Sequence, residues 1–391
     1  MSILLLLKNT PAPVLTTFLE PGGDATFNSS GTGSGGFWSG GGQGVIATDF
    51  VHGSHLKSIK YTSGTTQQNR TSSNTVSDLG TRLSSYFYFV AYPTAQNTFF
   101  TCMTVGGASF VVEVRISTAG VVKLFVGGSS TQIGSDGPTL NLSQWYRVSL
   151  AYSITSSTYN DFRLFIDGAL VSSGTNVTLL NTTSSISAIG NPAADATLDF
   201  RSSDHYIDNS NSLLDTGDIW VTAKRPDANG TTNGFTTQIG AGGSGYGSGH
   251  SPQVNERALS TTNGWSMVGA GAAITEEYNI EGKATGDTNI TTGTIIDYMG
   301  WVSAKALVAA GANIKLNGVS TAISLTTAAT VFTKMAGSTT YPAGTGSDIG
   351  IITDTTLTTV SLYEAGIIVA YIPGAPVSAV NNQRFMLMGV G

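Results

Sequence analysis

A single cysteine, Cys102, stands in a chain of 391 residues. No intrachain disulfide can form, and no CxxC metal site exists. Charge is scarce as well. Asp, Glu, Lys and Arg make up 11% of the residues, against about 25% in an ordinary soluble domain. The net charge is −6, so a basic footprint for nucleic acid or an anionic membrane surface is missing. No apolar run approaches the roughly 18 residues of a membrane-spanning helix. The N-terminal run Met1-Ser-Ile-Leu-Leu-Leu-Leu-Lys8 has no basic region before it and is too short for a signal-peptide core. Residues 1–23 read as an N-terminal arm or first strand. Long stretches with 3.6-residue apolar periodicity are also lacking.

What the chain has instead is glycine, 49 residues of it, with abundant Ser and Thr, and 40% hydrophobic residues. That hydrophobic share argues against charge-driven disorder. Short runs of Val, Ile, Thr, Tyr and Phe recur between Gly, Ser, Asn and Asp clusters, the spacing of an all-β sandwich. Leu83 to Tyr92, Phe110 to Ile116, Val121 to Val126, Trp145 to Tyr152 and Phe162 to Ile166 are strand candidates. In Phe110 to Ile116, Val112 and Val114 fall on one face, and Glu113 and Arg115 on the other. Asp167-Gly168 separates two runs and signals a hairpin, because a type I′ turn needs positive φ at both central residues. Asn317-Gly318 signals a second one. Further strands are expected at Thr294 to Val302, Ala312 to Leu316, Ala322 to Leu325, Thr330 to Lys334 and Thr359 to Ile372. Ser303 to Ala312 is compatible with a short helix, but its flanks favour a strand. The expected fold is all-β: two antiparallel β-sandwiches, a jelly roll over 24–226 and a smaller C-terminal sandwich over 264–373. A Gly-rich linker is expected over 227–263 and an apolar tail over 374–391, suited to docking on a neighbour or to packing back onto its own domain. The glycine run GAGGSGYGSG lies in that linker, without the preceding strand and following helix that a phosphate-cradling loop requires.

The ordered motifs carry a resemblance. Leu140-Asn-Leu-Ser-Gln-Trp-Tyr-Arg-Val-Ser-Leu150 followed by Phe162-Arg-Leu-Phe-Ile-Asp-Gly-Ala-Leu-Val171 resembles concanavalin A-like (laminin-G-like) jelly rolls. Then come Tyr206-Ile-Asp208, Gly217-Asp-Ile-Trp-Val-Thr222 and Arg225-Pro-Asp-Ala-Asn-Gly230, with Phe235 behind. This succession is similar to tailed-bacteriophage virion proteins in which a jelly roll runs into a second β-sandwich, and it covers roughly residues 24–372. The resemblance implies a virion context, not one activity.

Chemistry-bearing residues are few. A glucanase of this fold would resemble others in an ExDxxE strand motif, and no glutamate here lies in that frame. Glycoside hydrolysis needs two carboxylates about 5–9 Å apart. Glu277 and Glu281 would share a strand face about 13 Å apart, so both are expected to be surface charges. His52 and His55 form an H-x-x-H pair in a loop, without the further ligands zinc requires, and are expected to be solvated. Cys102 and Trp145 are expected in the core, and Trp38 as a buried anchor of the N-terminal segment. No catalytic residue is assigned. The resemblance implies one cofactor candidate, Ca²⁺ at the sandwich rim, with Asp195, Asp199, Asp204 and Asp208 as ligand candidates; the same residues serve as ordinary turn formers.

The expectation is a non-enzymatic virion protein, an external capsid decoration or cement acting through protein–protein contacts. Its partners would be major capsid or tail proteins and further copies of itself, with no nucleic acid and no membrane. The alternatives are a tail or fibre component binding host glycans through the lectin-like sandwich, a polysaccharide depolymerase and a cellular adhesin. No glycan-binding residue is assigned.

Overall fold

The computed structural model describes residues 18–19, 38–39, 45–53, 58–61, 67–71, 80–104, 109–181, 186–191, 195, 197–208, 212–215, 217–240, 250, 254, 264–268, 272–285, 290–336, 338–342, 348–355 and 358–374. Among them there is no helix, and the paired strands are antiparallel. Eight-, seven-, six- and five-stranded sheets stack into two sandwiches.

The first sandwich is the jelly roll. Its eight-stranded sheet centres on the strands Thr81–Ala91, Trp145–Ile154 and Asp199–Asp208. Its seven-stranded sheet centres on Asn97–Met103 and Phe110–Ile116. Period-2 patterning drives the pairing, since successive side chains of a strand point to opposite faces. Val112, Val114 and Ile116 reach the core, while Glu113 and Arg115 pair with each other on the opposite face. Phe87, Phe89, Phe99 and Phe200 meet edge-on or tilted between the sheets. Cys102 is fully buried there, its thiol 3.4 Å from the Tyr152 hydroxyl. The Asp167-Gly168 and Asn317-Gly318 turns have positive φ at both residues, as their sequences require.

The second sandwich pairs a six-stranded sheet, built on Thr294–Ala306 and Thr359–Ile372, with a five-stranded one. The central strands of the six-stranded sheet are buried on both faces. Along one strand Ile367, Val369 and Tyr371 enter the second core, and Ile368 and Ala370 enter the first. Met299 and Trp301 also belong to the first core's cluster, as do Ile219 and Val221. The first core's cluster thereby extends into the second sandwich through its six-stranded sheet.

The topology moves two expected boundaries. Trp220–Lys224, expected as the end of the jelly roll, pairs with Thr359–Ile372 and so opens the second sandwich. The expected linker contributes two of its strands: Pro226–Asn233 pairs with Thr275–Ile280, and Thr237–Ile239 pairs with Gly264–Val268. Glycine makes this possible at Gly230, where a Cβ would stand 2.4 Å from the Glu277 backbone. Phe18–Leu19, in the expected arm, pairs with Asp199–Asp208. Ser303 to Ala312 is strand at both ends and no helix. Residues 375–391, and with them the expected docking tail, lie outside the described residues.

Candidate functional site

The densest polar and aromatic cluster lies where the sandwiches meet, and strand register builds it. Tyr88 pairs with Trp145 and Arg201, and Tyr86 pairs with Arg147 and Ser203. Tyr146, Val148 and Leu150 face the jelly-roll core, so Trp145, Arg147 and Ser149 occupy the sheet's outer face. Trp145 is therefore not the core residue that was expected. It is half-buried on the outer face, and its Nε1 donates to the Val51 carbonyl at 3.1 Å.

Residues 49–53 lie across this face. Phe50 stacks on Tyr88 with ring centroids 4.6 Å apart. His52 stacks on Tyr86 at 3.8 Å, with Trp220 at 4.6 Å and Trp145 at 5.2 Å. His52 is thus buried in an aromatic nest, against the expectation of a solvated loop pair. His55 lies outside the described residues. The nest forms because an imidazole can bury its faces on other rings while a carboxylate takes an N–H at its edge. That carboxylate is Asp204, 2.7 Å from His52 Nδ1.

Asp204 sits at an irregularity of its strand with φ of 52°, a conformation that Asp tolerates better than most residues. Its Oδ2 also accepts from Ser203 Oγ at 2.8 Å, and its Oδ1 from the Val221 amide at 2.7 Å. His52 belongs to the jelly roll and Val221 to the second sandwich, so the carboxylate bridges the two. Beside it, Arg147 forms a bidentate pair with Asp215, both distances 2.7 Å. Burial pushes the Asp215 carboxyl up, but the Arg147 guanidinium outweighs this and holds it below the usual range. Asp218 accepts from the Tyr86 hydroxyl and from Trp220 Nε1. Burial, then Asp218, pushes the Tyr86 hydroxyl far above its ordinary pKa. The Asp204–His52 pair has the outline of an imidazole-orienting dyad. Here aromatic rings enclose the imidazole, and the dyad works as a joint.

A second cluster lies in the other sandwich. Glu276, fully buried, accepts from His250 Nδ1 at 2.7 Å, Asn233 Nδ2 at 3.2 Å and the Phe235 amide at 2.9 Å. The His250 ring stacks on Trp265 at 3.7 Å and 8°. No sequence signal marked Glu276 or His250. Glu277, on the opposite strand face, is not the surface charge expected: it is 1% exposed and ion-paired with Lys315. Glu281 accepts from the Arg225 amide at 3.1 Å. These carboxylates are tied to neighbours within the sheet layers, not set across a cleft as glycoside hydrolysis needs.

The calcium candidates are dispersed. Asp195 accepts six hydrogen bonds, from Thr94 N and Oγ1, Ala95 N, Thr197 N and Oγ1, and Leu198 N. Burial raises its pKa, but these donors outweigh burial and hold the carboxyl far below its usual range. Asp199 pairs with Arg201, and Asp204 is in the joint. The side chain of Asp208 lies outside the described residues, as does that of Trp38, whose backbone pairs with Thr71. Among the described residues no three His, Cys, Asp or Glu side chains come together as a metal site.

No family model and no curated protein matches the chain. Among solved structures it is similar to Trypanosoma rangeli sialidase in complex with the inhibitor DANA, at 12% identity and TM-score 0.33, over 44% of this chain and 27% of that one. It is also similar to endo-β-1,4-glucuronan lyase from the fungus Trichoderma reesei, at 13% identity and TM-score 0.35, over 51% of this chain and 97% of that one. The receptor binding domain of botulinum neurotoxin C/D mosaic serotype matches at 12% identity and TM-score 0.33, over 44% of this chain and 43% of that one. The chain thus spans about a quarter of the sialidase's length. Likeness of this degree assigns no activity or ligand.

Proposed function

We propose that the chain is a non-enzymatic structural protein of a tailed-bacteriophage virion, an external capsid decoration that acts through protein–protein contacts as a homo-oligomer. The resemblance of the ordered sequence motifs supplies the virion context. The observation that carries the mechanical role is the joining of both sandwiches by apolar residues of the six-stranded sheet and by the Asp204 bridge. A rigid two-lobed body loses little conformational freedom when it docks, so more of its contact energy appears as binding. The edge strand Val319–Leu325 has no charged residue and is largely exposed, a surface suited to subunit contact. A second reading, a tail component that binds host glycans through the jelly roll, draws on the half-buried outer-face Trp145 and Trp220.

Quantitative mass spectrometry of purified virions tests the proposal. A copy number in simple ratio to the major capsid protein is the expected result. A number far below that ratio moves the protein to the tail, and absence from virions sinks the structural reading. Release of reducing sugar from β-glucan or host polysaccharide by the pure protein would overturn its non-enzymatic part.

A further inference from the structure

The second sandwich carries an open cleft of about 650 Å³, lined by Asp227, Asn279, Lys283, Thr339, Thr340 and Tyr341 among others. Its size is in the range of small-molecule sites, about 300–1,000 Å³. Strand geometry shapes it. Pro226 pairs with Ile280 and Ala228 with Asn279, which leaves Asp227 as the extra residue of a register shift. Such bulges re-aim a side chain out of the ladder. Tyr278 and Ile280 enter the second core, so Asn279 between them is on the sheet's other face. Tyr341 forms an aromatic floor, fixed by its hydroxyl on the Glu281 carbonyl, with Lys283 Nζ 5.9 Å from the ring centroid.

Two features choose the ligand. First, Asn279 Oδ1 is buried and has no hydrogen-bond partner among the described residues. A buried acceptor left without a donor is costly, and because the Asn279 side chain as a whole is half-buried, a turn of its amide toward the cleft lets a bound donor remove the cost. Second, the lining offers one carboxyl and one ammonium together with an amide and two threonine hydroxyls. A nearly neutral set of mixed donors and acceptors does not suit a phosphate or a polyanion, which needs several cations. It suits adjacent hydroxyls, each of which both donates and accepts.

We propose that this cleft is a binding site for a neutral, hydroxyl-rich oligosaccharide. A ligand hydroxyl donates to Asn279 Oδ1 and a second to the Asp227 carboxylate, while Lys283 and the threonines donate to sugar oxygens. The C–H face of the sugar lies toward Tyr341. This goes beyond the structural role and is separate from a glycan site on the jelly roll.

The test is isothermal titration of the full chain with maltotetraose, cellotetraose, mannotetraose and triacetylchitotriose, with inorganic phosphate as competitor. The expected result is saturable binding of at least one of these sugars, unaffected by phosphate. Asn279→Ala and Asp227→Asn should each weaken that binding about three- to tenfold, the worth of one hydrogen bond. Trp145→Ala, on the jelly roll, should leave it unchanged. Lys283→Ala gives a third reading should one of the cleft variants fail to fold. The proposal is overturned if none of the four sugars binds, if the cleft variants bind as the parent does, if Trp145→Ala removes binding, or if phosphate competes.

Discussion

Replacing Asp204 by Ala tests whether one carboxylate couples the two sandwiches. The substitution removes the acceptor for His52 Nδ1, Ser203 Oγ and the Val221 amide at once. Asp204 is 1% exposed, so water has little access to the groups it leaves behind. Each orphaned buried donor costs about 1–3 kcal/mol. Three such donors together set an expected loss of about 3–5 kcal/mol. For a chain of 391 residues that unfolds in one transition, the melting temperature should fall by roughly 4–6 °C. Asp204→Asn keeps an oxygen for Val221 and tolerates the positive φ at this position, so it should cost only about 1 kcal/mol. Because Val221 lies in the second sandwich, the Ala variant should also weaken cooperativity. A single calorimetric transition in the parent should broaden or split. Urea midpoints at constant m value give the energies, and scanning calorimetry gives the coupling. A loss below about 1 kcal/mol for Asp204→Ala would refute the bridge. Equal losses for Ala and Asn would show that charge, not acceptor geometry, carries it.

Three further outcomes are expected. Burial against Phe100 pushes His205 down to about 3, whereas the unfolded chain titrates near 6.5. The unfolded state therefore takes the proton first: stability is full above about 6.5 and falls by up to about 1.4 kcal/mol per pH unit below it. His205→Phe should flatten urea midpoints between about pH 6.5 and 4.5, ahead of the carboxylates, and an unchanged slope would count against a buried neutral imidazole. Gly53 has φ of 55°, and a Cβ there would stand 2.0 Å from the Trp220 ring. Gly53→Ala should cost about 2–4 kcal/mol, whereas Gly128→Ala, at φ of 68° with open space around it, should cost only about 1 kcal/mol. Similar melting points for the two would place the clash elsewhere. Removal of divalent cations with a chelator should leave the melting midpoint unmoved, since protein donors already saturate Asp195 and the other described candidates hold protein partners. A lowered midpoint would reveal a metal.

The strand layout was legible because each strand's core side is written locally. Phe110–Ile116 and Thr359–Ile372 occupy the ranges their apolar patterns mark out, and both Xaa-Gly hairpins turn where expected. The face of Trp145 was legible too. Its strand places Arg147 and Ser149 two and four residues on, and a face that carries those residues is not a jelly-roll core. The expected core placement counted Trp145 as in phase with the apolar alternation, whereas the residues of that strand that reach the core are Tyr146, Val148 and Leu150. The junction was not legible for a different reason. His52 and Asp204 are 152 residues apart, and nothing in either segment states that 49–53 crosses the outer face of the sheet. Thr359–Ile372 reads as a largely apolar strand, but its sequence alone does not say that its two faces serve two cores. The glycine-rich stretch after Arg225 failed in the opposite direction. Composition there suggests chain freedom, yet at Gly230 a Cβ would stand 2.4 Å from the backbone of Glu277. A glycine in a strand marks close backbone approach as readily as flexibility. Only the partner strand, with Glu276 and Glu277 themselves buried in polar clusters, decides between the two.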